Sequence, residues 1–143
     1  IEYKAYVHEL SQYLVRSVKG NQNNVKLNID IPDIKLGIDT AIPLGLLINE
    51  AITNALKYGI KDDMEGIIHI EQENEKGFIL NIGDNGDGFS ETITPQTSKS
   101  LGLKLIHNLA RQLKGSITKD LSLKGTNYII RFQEVTQEFN SVA

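Results

Sequence analysis

The sequence of 143 residues has no cysteine and no tryptophan, one methionine and three prolines. Without cysteine it can form neither disulfides nor thiolate metal sites, which fits a reducing compartment and predicts a cytoplasmic location. No apolar run approaches the ~20 residues of a membrane-spanning helix, and no signal-like segment opens the chain, so we expect no direct membrane insertion. The formal net charge of −3 gives no reason to expect nucleic acid as a partner.

What is present is the composition of one globular domain, with 40% hydrophobic and 23% charged residues. The chain is long enough to bury a single core. Because it starts with Ile1 instead of methionine, we expect it to be a piece excised from a longer protein. We expect a leading helix over residues 1–19, the main domain over residues 20–135 and a polar, fraying tail over residues 136–143.

Hydrophobic periodicity predicts the order helix, strand, helix, two strands, loop, helix, two strands. Runs of strands without strict alternation with helices predict an α+β fold, with helices packed on one face of a mixed, mostly antiparallel sheet. The predicted segments are residues 1–19, 25–31, 42–59, 66–74, 77–85 and 101–115, followed by two strands from residue 116.

The helical segment "NEAITNALKYG" (residues 49–59) interrupts an apolar run with Glu50, Asn54 and Lys57. At roughly 100° per residue these three side chains fall within about 60° of one another, beside the apolar arc. One interpretation is a solvated helix face, and the other is a polar wall lining a cleft. In a cleft, the carboxylate and amide oxygens would suit Mg²⁺ bound with waters and phosphates. The Lys57 ammonium would suit a phosphate.

A second segment, "DNGDGF" (residues 84–89), follows a run that we predict to be a buried strand. At the end of that strand, Asp84 is placed to accept a hydrogen bond from an exocyclic amine in an apolar pocket. Gly86 and Gly88 would let the backbone approach a ligand closely. A tight turn that binds nothing is the alternative. A calcium loop is excluded, because Thr94 would occupy the position of its last carboxylate ligand.

Two further segments are weaker signals by themselves. "SKSLGLKLI" (residues 98–106) leads a polar loop to a predicted helix start at Leu101 and Gly102, where free N–H groups favour an anion such as a triphosphate. Most helix starts bind nothing, however. "GTNYIIRF" (residues 125–132) places Thr126 at a strand start, where it could hydrogen-bond a base or a water beside Asp84.

Together and in this order, the four segments resemble the nucleotide-binding boxes of the GHKL ATP-binding superfamily, most closely those of the catalytic domain of bacterial sensor histidine kinases. "NEAITNALKYG" resembles the asparagine box, "DNGDGF" the DxGxG box, "SLGLKLI" the second glycine box and "GTNYIIRF" the final GT strand. The resemblance covers nearly all of residues 25–134. It implies the two-layer α/β sandwich known as the Bergerat fold.

The resemblance also implies ATP and Mg²⁺ as cofactors. Asn54 would bind Mg²⁺, and Glu50 would be the catalytic residue that orients the attacking group or assists its deprotonation. Asp84 would bind the adenine amino group with support from Thr126. The implied nucleotide-binding set is Asn54, Lys57, Tyr58, Asp84, Gly86, Gly88, Leu101, Gly102, Leu103 and Thr126.

The implied activity of residues 20–135 is transfer of the ATP γ-phosphoryl to a histidine, for relay to a response regulator. His8, His69 and His107 lack the adjacent acidic residue of an acceptor motif. We therefore expect the acceptor in a dimerisation domain upstream, from which the leading helix extends. The chain alone should bind Mg-ATP but barely phosphorylate itself. We expect the full-length protein to be a homodimer, either free in the cytoplasm or anchored to a membrane.

The sequence departs from the family pattern in two places. Ser98 and Ser100 replace the first two glycines of the second glycine box, and the lid between the glycine boxes is short. Two alternatives therefore stay open. One is an anti-sigma-factor serine kinase of the same fold, and the other is a degenerate nucleotide-binding or interaction module that transfers no phosphate.

Overall fold

The computed structural model describes residues 1–59, 65–86, 98–123 and 125–135 of the chain. The described helices are α1 (Tyr3–Lys19), α2 (Ile38–Asn54) and α3 (Ser98–Gln112). A π-helical segment, Ala55–Gly59, continues α2 directly. Gly88, the side chain of Tyr58 and the predicted tail lie outside the described residues.

The start of α2 differs from the sequence prediction. The helix begins at Ile38 instead of Ile42, because extended Gly37 precedes it and the Gly37 carbonyl oxygen accepts the N–H of Ala41 at 2.8 Å. Pro43 therefore lies inside the helix, where it removes one backbone hydrogen bond. The error arose because a proline is common in a first helical turn and was assigned to it.

Five strands form one sheet in the order β1-β2-β3-β5-β4. They are β1 (Lys26–Asp30), β2 (Glu65–Gln72), β3 (Gly77–Asp84), β4 (Ser116–Lys119) and β5 (Asn127–Gln133). The β1–β2 pair is parallel and the other three pairs are antiparallel. The predicted α+β class with a mixed, mostly antiparallel sheet is confirmed.

The core lies between one face of this sheet and the helices. Alternate residues of β2, β3 and β5 are buried, and Leu80 in β3 pairs with Ile70 on one side and Ile130 on the other. Leu47 and Ile48 of α2 are fully buried in the same cluster. Because side chains alternate across a strand, the opposite face of the sheet carries the more exposed residues.

The leading helix is packed into this core. Tyr3 and Val7 of α1 are fully buried, and the backbone N–H of Tyr3 donates to the Ile34 carbonyl oxygen at 3.0 Å. That residues 1–19 also extend from an upstream domain stays a prediction. Among the described residues, none of the helices combines the length and the apolar character needed to traverse a bilayer.

Candidate functional site

A narrow cavity lies between α2, α3 and the sheet, at the ends of β3 and β5. The centre of a water molecule can occupy about 30 Å³ of it, which is room for roughly two waters. The space between the atoms of its walls, including its opening to solvent, is about 510 Å³. The polar lining is Asn54, Asp84, Thr126 and Tyr128, and the apolar lining includes Ile52, Leu56, Ile82, Leu103 and Ile106.

Asp84 reaches the cavity because it ends β3 on the buried face of the strand, in line with Leu80 and Ile82. The side chain is only 4% exposed. Its carboxylate accepts the backbone N–H groups of Gly86, at 2.8 Å, and of Thr126. Burial nevertheless raises the pKa of Asp84 above its ordinary value, because desolvation outweighs the two donors. The carboxylate is thus held in place while its charge is poorly solvated.

Thr126 and Gly125 complete this wall. The Thr126 carbonyl oxygen accepts the N–H of Asp84 at 3.1 Å, and the Thr126 hydroxyl has no hydrogen-bond partner among the described residues. Gly125 has a φ of 91°, and a Cβ there would collide with the Asp84 carbonyl oxygen. Only glycine satisfies both requirements, so this close approach depends on Gly125.

Asn54 lines the cavity from the last position of α2 and is 5% exposed. Its amide nitrogen is buried without a hydrogen-bond partner in the described part of the chain. Half-buried Glu50 lies one helical turn earlier. A Cβ placed on Gly102 would contact the Glu50 carboxylate and lie 2.7 Å from the Asn54 amide nitrogen. The two polar side chains therefore meet the same point of α3, although Glu50 does not itself line the cavity.

The position of Gly102 corrects the predicted start of α3. The helix already includes Ser98, so Gly102 lies one turn inside it. An N–H at that depth is used within the helix, because only the first four N–H groups lack an intrahelical partner. The structure places Gly102 where α3 approaches Glu50 and Asn54 closely, and its predicted contact with the nucleotide stays a prediction.

The other predicted site residues are divided between the cavity and its surroundings. Half-buried Leu103 lines the cavity. Gly86 does not line it, but its backbone N–H donates to the carboxylate of Asp84, which does. Lys57 is exposed in the π-helical segment, and Leu101 is exposed on α3. Neither of these two lines the cavity as described.

Sequence reasoning missed two residues at this site. Tyr128 lines the cavity, and burial together with the Asp84 charge raises the pKa of Tyr128 to about 12. Asn127 is buried and its amide donates to the Asp84 carbonyl oxygen at 3.2 Å. The alternation of "TNY" after Gly125 was the available signal, since Thr126 and Tyr128 must share a face of the strand.

The described residues contain no cluster of three or more histidine, cysteine or acidic side chains able to hold a metal ion. Mg²⁺ commonly takes only one or two protein oxygens and completes its shell with water and phosphate. The Asn54 side chain, buried at the cavity wall, carries one amide oxygen that could serve as such a protein ligand.

The chain is similar to histidine kinases in sequence. It is 25% identical over 108 residues to blue-light-activated histidine kinase 2 of Erythrobacter litoralis, covering 74% of this chain and 31% of that protein. It is 32% identical over 97 residues to blue-light-activated histidine kinase 1 of the same organism, covering 66% and 26%. The chain thus spans less than a third of the length of these relatives.

Solved structures share its fold. The histidine kinase domain of the Erythrobacter litoralis EL346 blue-light activated histidine kinase superimposes with a TM-score of 0.79 at 21% identity, covering 94% of this chain and 62% of that one. The mycobacterial sensor histidine kinase MprB superimposes with a TM-score of 0.67 at 16% identity, covering 89% and 95%. A family model described as "Histidine kinase-, DNA gyrase B-, and HSP90-like ATPase" matches residues 39–136. Because that match covers well over half of the sequence, the chain belongs to this family of histidine kinase-, DNA gyrase B- and HSP90-like ATPases.

Proposed function

We propose that this chain is the catalytic, ATP-binding domain of a two-component sensor histidine kinase. The observation that carries the proposal is the convergence of Asn54, Asp84 and Thr126 on one mainly apolar cavity. All three side chains are buried, and two of them carry polar atoms without a partner among the described residues. Buried polar groups are costly unless they are hydrogen-bonded, so a polar ligand stabilises this arrangement.

The cavity suits an adenine base. The Asp84 carboxylate accepts hydrogen bonds, so it attracts an exocyclic amine and repels the carbonyl oxygen that guanine carries at the same position. The Thr126 hydroxyl lies beside it as a second polar contact. Apolar walls formed by residues such as Leu103 and Ile106 exclude water from the ring. Selectivity for ATP over GTP follows from this pairing.

The phosphates and Mg²⁺ would be held at the end of α2. Asn54 would supply an amide oxygen to the metal, which when bound offsets the charge of the phosphates. Glu50 contacts the same point of α3 as Asn54, and from there it would orient an attacking imidazole or take its proton. Exposed Lys57 would contact a phosphate, and Gly86 and Gly88 would let the loop approach the nucleotide.

The acceptor histidine would belong to a dimerisation domain upstream, and the phosphoryl group would pass from it to a response regulator. The three histidines all lie in the described ranges, and none of them lines the cavity there. His69 adjoins cavity-lining Ile68 on β2 and therefore points to the other face of the sheet, where it lies 3.8 Å from Asp30. His107 is exposed on α3. We propose a homodimer whose catalytic domains act in the cytoplasm, where ATP is supplied.

Calorimetric titration with Mg-ATP tests the site. We expect the parent chain to bind, and Asn54→Ala and Asp84→Ala to weaken binding by about ten- to a hundredfold, because each removes a contact to a charged group. Asn49→Ala is the matched control, since Asn49 lies on the same helix and does not line the cavity. A parent chain that binds no nucleotide would favour a degenerate interaction module instead.

The acceptor is tested on the full-length protein with γ-labelled ATP. Phosphohistidine loses its label in acid, whereas phosphoserine retains it. Acid-labile, alkali-stable label supports the histidine kinase, and acid-stable label on a partner protein supports the serine kinase of the same fold. Strong label on the isolated chain would show that an acceptor lies within it.

A further inference from the structure

Tyr128 lies beside Asp84 in the wall of the cavity. The β3–β5 register pairs Tyr128 with Ile82. Because alternate residues share a face of a strand, Tyr128 faces the cavity with Thr126 on its own strand and with Asp84 on the neighbouring strand. All three residues line the cavity, and Tyr128 is only 8% exposed.

The hydroxyl of this tyrosine is a donor at neutral pH. Burial, and then the charge of Asp84, raise the pKa of Tyr128 to about 12, so the phenol keeps its proton. No hydrogen bond joins the hydroxyl to another of the residues that the structure describes. Tyr128 as a residue is mostly buried, and a tyrosine hydroxyl at the wall of an apolar cavity usually donates to a polar partner.

Asp84 and Tyr128 therefore present an acceptor and a donor side by side. Adenine presents the complementary pair, because its exocyclic amine donates and a flanking ring nitrogen accepts. We propose that Tyr128 is a specificity-determining residue. Its hydroxyl donates a hydrogen bond to a purine ring nitrogen, and this nitrogen lies next to the exocyclic amine that donates to Asp84. The inference rests on the proposed function and adds a second point at which the base is read.

The test is a set of calorimetric titrations with ATP, 1-deaza-ATP and 7-deaza-ATP, each lacking one candidate nitrogen. Tyr128→Phe keeps the ring and removes only the donor. We expect Tyr128→Phe to weaken ATP binding by about three- to tenfold, the strength of a neutral hydrogen bond. For the analogue that lacks the partner nitrogen, parent and variant should bind equally. Tyr13→Phe is the control, because Tyr13 is exposed on α1. This variant should bind all three nucleotides as the parent does.

The outcomes separate this inference from the proposed function. If the parent binds ATP and Tyr128→Phe binds every nucleotide as the parent does, the role of Tyr128 is wrong and ATP binding stands. If the variant binds all three nucleotides more weakly than the parent by the same factor, the hydroxyl does not contact a ring nitrogen and the inference is again wrong. If the parent binds no ATP, both fail. Should the variant not fold, the parent must itself bind one deaza analogue about three- to tenfold more weakly than ATP, and equal binding overturns the inference.

Discussion

The side-chain amide of Asn127 donates a hydrogen bond of 3.2 Å to the backbone carbonyl oxygen of Asp84, 43 residues earlier in the chain. Gly83 makes room for it, because a Cβ on Gly83 would collide with the Asn127 amide. The N–H of Asp84 is bound in turn by the Thr126 carbonyl oxygen at 3.1 Å. The strand end that carries Asp84 is therefore held through both of its backbone polar groups, by Thr126 and by Asn127 at the start of β5.

Gly125→Ala should damage this arrangement more than its backbone conformation alone explains. Gly20 and Gly125 both have positive φ, at 82° and 91°, but a Cβ on Gly20 would meet nothing within 4 Å. Gly20→Ala should cost only the backbone strain, ~1–3 kcal/mol. Gly125→Ala should cost ~1–3 kcal/mol more, because its Cβ collides with the Asp84 carbonyl. Urea unfolding measures the free energy of unfolding of both variants. Equal losses would contradict the close approach of Gly125 to the Asp84 carbonyl.

Gly102→Ala should separate function from stability. Its Cβ would press on the ends of the Glu50 and Asn54 side chains, which can move away. Alanine also favours a helix by up to ~1 kcal/mol over glycine, so the free energy of unfolding should hold or rise. Mg-ATP affinity should fall by about ten- to a hundredfold, because both side chains are displaced.

The matched control for this variant is Gly45→Ala in α2. Its Cβ would press on the Tyr6 hydroxyl, and neither Gly45 nor Tyr6 lines the cavity. Gly45→Ala should leave Mg-ATP affinity unchanged in calorimetric titration. If both variants bind like the parent, the Gly102 contact has no part in binding.

The ionisation of Asp84 should make the nucleotide-free domain less stable as pH rises. Burial raises the pKa of Asp84 in the folded state above its ordinary value of 3.8. Between the unfolded and folded pKa values the native state holds more proton, so stability falls with rising pH. Relative to Asp84→Asn, the parent should therefore lose free energy of unfolding from about pH 4 upward through the raised pKa. Urea unfolding at a series of pH values tests this.

Asp120→Asn provides a control of opposite sign. The Ser122 hydroxyl, and then its backbone N–H, lower the pKa of Asp120 by hydrogen bonding. A lowered folded pKa adds stability above the unfolded pKa, and that stability is lost as pH falls through the folded value. Relative to Asp120→Asn, the parent should gain stability with rising pH. The stability difference between parent and variant should therefore change with pH in opposite directions for Asp84 and Asp120. A change in the same direction would contradict the raised pKa of Asp84.

Removing the aromatic ring of Tyr3 should show that α1 belongs to the core. Tyr3 is fully buried, and its hydroxyl donates to the Ala41 carbonyl oxygen at 3.3 Å. Tyr3→Ala should lower the free energy of unfolding by ~3–5 kcal/mol, through lost contacts and the cavity left behind. Tyr13→Ala, at a position 64% exposed, should change it by less than ~0.5 kcal/mol. If both change it equally little, α1 packs loosely on the domain.

The local hydrophobic pattern of the sequence was enough to predict the helices and strands and to place part of the candidate site. The periodicity of the chain predicted every described helix and strand, since the burial of one face repeats every 3.6 or 2 residues. It also placed Glu50 and Asn54 on one side of a helix, because a spacing of four is a property of the helix itself. The starts of α2 and α3 were wrong, because backbone groups of the preceding residues set them and side-chain periodicity does not.

Contacts between distant segments decided the rest. The pairing of β3 with β5 brings Asp84 to Thr126 and adds Tyr128 to the same wall. The packing of α3 on α2 makes Gly102 a contact of Asn54 instead of a helix start. The sequence by itself determined which side chains share a face of one element, because that geometry is local. Only the tertiary structure decided which faces meet, because strand register and helix packing depend on burying the whole core at once.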